Sequence, residues 1–123
     1  VGVDDSGKIA DASLRSEILS HRMNDRAFGL TTRRSVEESA TGNAPGATSS
    51  MFKYYGTAQN IGKYDLLLSI MGTQSIGWTG DSFKQDELNT TRAWLRSKAN
   101  SIEGGTSEVQ LNIIAKRVLG LPD

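Results

Sequence analysis

The chain has 123 residues, with 14 lysines and arginines against 14 aspartates and glutamates, one histidine and no cysteine. At this length one domain is the expectation, and the missing cysteines exclude disulfides, thiolate zinc sites and a cysteine nucleophile. A single histidine excludes a multi-histidine metal centre, so no metal is expected, and a net charge of zero supplies no basic field to hold nucleic acid.

Val1 to Ala10 carries glycine and aspartate without a sustained period and reads as a lead-in loop. From Asp11 to Ala40 there is no proline and one glycine, and Leu14, Ile18, Leu19, Met23, Ala27 and Leu30 recur at helical steps. One long amphipathic helix is predicted, with its mixed-sign charges on the solvated side. Thr41 to Gly46 gathers glycine, asparagine and proline into a turn, and a second helix follows from Ala47 to about Met71. Within it Gly56 and Gly62 are small enough for a neighbouring helix to come close. The best apolar run, Leu66 to Met71, stops at Gly72, far short of the roughly 20 residues of a membrane span.

Gly72 to Asp81 reads as a turn-rich loop carrying Trp78, which either covers a bundle end or walls a cavity. Asp86 to Ala99 forms a third helix with Leu88, Thr91, Trp94, Leu95 and Ile102 on one broad side. Ser101 to Gly105 breaks it. The last helix begins at Thr106-Ser107, with Ser107 and Gln110 at capping-box spacing, and ends at Gly120 before Pro122. No segment alternates as a strand does, so the predicted fold is all-α, an antiparallel four-helix bundle over residues 1–123. The missing cysteines favour an intracellular, cytoplasmic home, and a start at Val1 with neither leader nor transit sequence after it suggests a piece of a longer chain, or else removal of an initiator methionine.

Glu103-Gly104-Gly105-Thr106-Ser107-Glu108 leads directly into that helix and is the most informative local feature. A helix's first turn has unpaired N–H groups and the positive end of the macrodipole, and glycines let a polar cofactor approach. The plain reading is a tight turn followed by an ordinary cap. Glu108 already suits the dipole and would repel a phosphate, so a ribose hydroxyl is its better partner. Glu103 reads either as a general base beside a cofactor or as a solvent-facing residue ending the third helix. His21 reads as a helix histidine without catalytic company.

The last third, from Thr91-Arg92-Ala93-Trp94-Leu95-Arg96 through Gly105-Thr106-Ser107-Glu108-Val109-Gln110 to Ile113-Ile114-Ala115-Lys116-Arg117-Val118-Leu119-Gly120-Leu121-Pro122, closely resembles the carboxy-terminal end of the acyl-CoA dehydrogenase family. Upstream the resemblance is looser but in register, and it extends over the whole chain. It implies a flavoprotein that oxidises acyl-CoA to 2,3-enoyl-CoA with FAD as hydride acceptor and passes electrons to an electron-transfer flavoprotein. It also implies packing against sister subunits in a dimer or tetramer, and a subunit whose amino-terminal helical and middle β domains are absent here, leaving this chain inactive alone. Carried over by position, Gly105, Thr106 and Glu108 fall where the family contacts FAD. The family's second flavin loop falls at Ser69 to Ser75, where Gly72 is retained and Gln74 offers an amide. The usual base position holds Gly104, which cannot take a proton. The base is then expected on an earlier helix, with Glu103, one residue out of register, as the fallback. A non-catalytic structural or partner subunit of a heteromeric enzyme is the alternative.

Overall fold

The computed structural model describes residues 1–42 and 48–122; the Pro45 turn and Ala47 lie outside them. Four α-helices account for the architecture, as expected: α1 (Ala12–Ala40), α2 (Thr48–Met71), α3 (Gln85–Lys98) and α4 (Ser107–Ile113). Each visible start and stop has a local cause. Asp11 caps α1 by accepting the Leu14 N–H at 3.0 Å. Gly72, at φ +59, ends α2 in the left-handed region and opens a short 3-10 turn, Gly72–Ile76, inside the predicted loop. At α3 the Glu87 carboxylate reaches back to accept the Lys84 N–H at 2.7 Å. Beyond α3 the chain tightens into a 3-10 turn, Ala99–Ser101, and beyond α4 it widens into a π-helical turn, Ile114–Val118. The lead-in is folded as well: the Asp4 carboxylate accepts from the Ser6 and Lys8 N–H groups, and Arg15 donates to the Ile9 carbonyl.

Helix α2 is the shared element. Its contacts with α3 run in opposite chain order, Thr57 meeting Asn100 and Asp65 meeting Trp94, so the two are antiparallel. Those with α1 do the same, since Phe28 meets Phe52 and Tyr55 while His21 lines a groove with Asn60 and Lys63. Gly56 allows the approach, because a Cβ there would lie 3.1 Å from the Phe28 ring. A Cβ on Gly62 would meet nothing, so only one of the two small residues serves this purpose.

The single apolar stripe expected on α1 is two faces. Met23 follows Leu14 by nine residues, two and a half turns, and so points to the opposite side. Leu14, Ile18 and Phe28 are half-buried on the α2 side, whereas Leu19, Met23 and Leu30 are exposed, Met23 at 72%. On α3, Leu88 and Thr91 are buried as expected, but Leu95, and Ile102 beyond the helix's end, are exposed. Trp78 is half-exposed and lies against the Arg92 guanidinium, which also donates to its carbonyl at 2.9 Å.

Leu88 is the one buried large apolar residue among those described. The accessible surface is 8457 Å², whereas a compact monomer of this mass exposes about 6,500 Å². Exposed apolar side chains, among them Met23, Leu30, Ile76 and Ile102, contribute to that open surface.

One contact across α2 and α3 carries a pH signature. Trp94 Nε1 and Lys98 Nζ both donate to Asp65 Oδ1, at 2.6 and 2.7 Å. The Lys98 hydrogen bond holds the Asp65 carboxyl below its ordinary range, with Trp94 adding to it and burial opposing. A carboxyl depressed in the folded state stabilises above its unfolded pKa and loses that contribution as pH falls through the folded value. Asp65→Ala is therefore expected to cost about 1 kcal/mol at pH 7, discounted for exposure. Paired urea titrations at pH 7 and about pH 2 should show that gap closing in acid.

Candidate functional site

The corner between α3 and α4 is built around two glycines in the left-handed region, Gly104 at φ +63 and Gly105 at φ +94. Residues with a Cβ pay for such backbone angles, so the pair is required by the turn itself. Thr106 then takes an extended conformation and caps α4, its hydroxyl accepting the Val109 N–H at 3.3 Å. The cap is thus Thr106 and not Ser107, and Gln110 is no capping-box partner: its Nε2 donates to the Gly104 carbonyl at 2.9 Å.

Glu108 lies exposed in the first turn of α4. Its own backbone N–H holds its carboxyl below the usual range, with the Thr106 hydroxyl next and the Lys53 ammonium adding to both. Glu103 is also exposed and committed elsewhere. Arg96 Nη2 pairs with its Oε1 at 2.5 Å and Asn100 Nδ2 donates to its Oε2 at 3.0 Å. The Arg96 hydrogen bond is the main cause of its lowered pKa. A general base working near neutrality needs a raised carboxyl pKa, and both of these are moved the other way. Gly104, at the family's usual base position, has no side chain, and a Cβ built on it would meet open space.

Beside this corner is an open groove of about 370 Å³ lined by Phe52, Lys53, Gly56, Thr57, Asn60, Asn100 and Glu103. Its polar wall is continuous: Lys53 Nζ donates to the Ser101 carbonyl at 3.4 Å, and Asn60 Nδ2 to Asn100 Oδ1 at 2.9 Å. Of the lining residues Gly56 and Glu103 stood out in the sequence; Lys53, Thr57, Asn60 and Asn100 did not, because their relation is made across 40 or more positions.

Gly72 and Gln74 are not brought to this corner. Lys53 touches the Ser101 carbonyl near one end of α2, and Gly72 follows its other end 19 residues on. At 1.5 Å per helical residue that separation is about 28 Å. Gln74 is exposed there, in a turn whose Ser75 carbonyl is pinned by the Thr91 hydroxyl at 3.0 Å. Among the described residues no three histidine or acidic side chains converge to hold a metal ion, and no helix is long and apolar enough to cross a membrane.

Comparison with known proteins gives the same reading of the sequence. The family described as acyl-CoA dehydrogenase, C-terminal domain, matches residues 4–119. Acyl-CoA dehydrogenase IpdE1 of Mycolicibacterium smegmatis is 61% identical over 47 residues, covering 37% of this chain and 12% of that protein. Acyl-CoA dehydrogenase IpdE1 of Mycobacterium tuberculosis is 39% identical over 64 residues, covering 52% of this chain and 15% of the relative. The matched stretches thus span a small part of each relative's length, and no solved structure gives a significant match. With a family model matched from residue 4 to 119 and an all-helical fold to accompany it, the chain belongs to the acyl-CoA dehydrogenase C-terminal domain family.

Proposed function

We propose that this chain is the flavin-contacting, subunit-packing helical domain of a FAD-dependent acyl-CoA dehydrogenase that converts acyl-CoA to 2,3-enoyl-CoA. The observation that carries the reading is the glycine corner: Gly104 and Gly105 hold left-handed backbone angles immediately before a threonine-capped helix. The residues present suit the polyol and ribose part of a dinucleotide better than a bare phosphate. Thr106 and Ser107 bring hydroxyls, while the ionised Glu108 accepts hydrogen bonds from hydroxyls and repels phosphate. FAD, when bound, would supply the hydride acceptor. This chain's part is to orient it: Gly105 permits close approach, and Thr106 and Glu108 fix the polar end.

Gly72 and Gln74, about 28 Å along α2 from the corner, then address a second flavin, one held mainly by a sister subunit. Exposed Leu19, Met23 and Leu30 on α1 supply packing for a dimer or tetramer. Acyl-CoA as substrate, an electron-transfer flavoprotein as electron acceptor and a cytoplasmic location complete the proposal, with the chain inactive by itself.

The test is flavin retention by Thr106→Val and Thr106→Ser variants of the assembled enzyme. Valine is expected to weaken FAD binding about tenfold, and serine, which keeps the hydroxyl and the cap, to stay near wild type. Equal flavin affinity in all three would count against the corner as a flavin contact.

The proton-abstracting carboxylate is assigned to another segment of the enzyme, since Glu103 is ion-paired and lowered in pKa. Glu103→Gln is expected to leave turnover within about threefold, whereas loss of a true base costs about a hundredfold or more. A non-catalytic subunit domain is the second reading, favoured by glycine at the base position. It predicts that the protein assembles with a partner subunit yet contributes no flavin contact.

A further inference from the structure

Ser50, Thr91, Ser97 and Gln110 are the buried polar side chains among the described residues, and Gln110 is the one bonded to the glycine corner. A buried amide is costly unless its polar atoms are used. Gln110 holds the corner from both sides of Gly105. Its backbone N–H donates to the Thr106 carbonyl at 3.0 Å, and its Nε2 donates to the Gly104 carbonyl at 2.9 Å. A Cβ on Gly105 would lie 2.7 Å from that same Nε2.

The peptide between two glycines is the easiest in the chain to rotate, because neither neighbour has a Cβ to resist it. A trans peptide is planar, with its C=O and N–H pointing opposite ways. Fixing the Gly104 carbonyl against Gln110 therefore turns the Gly105 N–H away from Gln110, toward the outside of the corner.

We infer that Gln110 is a positioning residue that sets the Gly104–Gly105 peptide plane and so presents the Gly105 N–H, together with Thr106, to the polar part of the flavin. The inference rests on the flavin reading of this corner given above. Gln110 itself need not touch the cofactor; it acts through the peptide that does.

Gln110→Glu tests this with nearly the same shape. As a carboxylate it has no hydrogen to give and faces the Gly104 carbonyl with like polarity; once protonated it regains a donor. Burial raises the pKa of an introduced carboxyl, which places recovery in mildly acidic solution. Glu103 and Glu108, the carboxylates flanking the corner, are held below the ordinary range and stay ionised through that window, with the Lys53 charge beside them. Two readouts are taken on the assembled enzyme: amide hydrogen exchange over residues 104–109 in the flavin-free form, and FAD affinity between about pH 8 and pH 5.5.

At pH 8 the variant is expected to exchange these amides about tenfold faster and to bind FAD about tenfold more weakly, with exchange in α1 and α3 unchanged. Both defects should shrink toward pH 5.5 in the variant, and the wild type should show no such trend. Gln110→Leu, which cannot recover a donor, should keep both defects at every pH. Unchanged exchange at residues 104–109 in Gln110→Glu would overturn the positioning role. Faster exchange with unaltered FAD affinity would keep the clamp but remove its bearing on flavin, and would count against the flavin reading of the corner too.

Discussion

Gly105→Ala is expected to destabilise the protein by about 2–3 kcal/mol, because it combines two costs at one position. The backbone there is at φ +94, where an alanine is strained wherever it is placed. The new methyl would also lie 2.7 Å from Gln110 Nε2, which has to leave the Gly104 carbonyl to make room. In a chain of this size the melting temperature should fall by roughly 10 °C, and FAD affinity should fall with it. Gly104→Ala is the matched control, since φ is +63 there but a Cβ would meet nothing. It should cost only the backbone strain, about 1–2 kcal/mol. Equal melting temperatures for the two variants would contradict the close packing assigned to Gln110.

Phe28→Ala carries the second large effect. Phe28 is the aromatic link between α1 and α2, its ring 5.5 Å from Tyr55 and 6.0 Å from Phe52, with Gly56 beneath it. Because α1 packs chiefly on α2 among the described residues, little else compensates when this ring is lost. A fully buried phenylalanine costs about 3–5 kcal/mol when truncated; half-burial brings the expectation here to about 2–3 kcal/mol. Hydrogen exchange should show the loss in α1 first, while α2 and α3 keep their protection through the Asp65 contacts with Trp94 and Lys98. Uniform loss of protection across all four helices would mean instead that α1 and the rest unfold as one unit.

Helix positions were legible because their ends are written in residues with local physical meaning. Gly72 reads as a stop from its missing Cβ, and Gly104-Gly105 as a turn for the same reason. The signature from Gly105 to Pro122 was equally legible, being one contiguous run of sequence. What escaped were relations between faces. Leu14 and Met23 both satisfy a helical period when counted in three- and four-residue steps, yet they accumulate to opposite sides of α1. Thr106 and Ser107 are adjacent hydroxyl residues with the same capping chemistry, and only the extended backbone at Thr106 decides between them. The roles of Lys53, Asn60, Arg96 and Asn100 depend on contacts that no local pattern encodes. Exposed Leu95 and Ile102 likewise show that a periodic pattern marks a face as apolar without naming what covers it.

The Gly104–Glu108 corner is proposed to serve the flavin of an acyl-CoA dehydrogenase. Its most direct test is the absorbance spectrum of the protein purified from its complete open reading frame, recorded before and after adding an acyl-CoA, alongside the Thr106→Val variant. Yellow protein whose flavin band bleaches with substrate, and a variant that loses flavin on dilution, is the predicted result. Colourless protein that takes up no added FAD would overturn the flavin role and leave a helical domain that keeps its family's fold for packing against a partner.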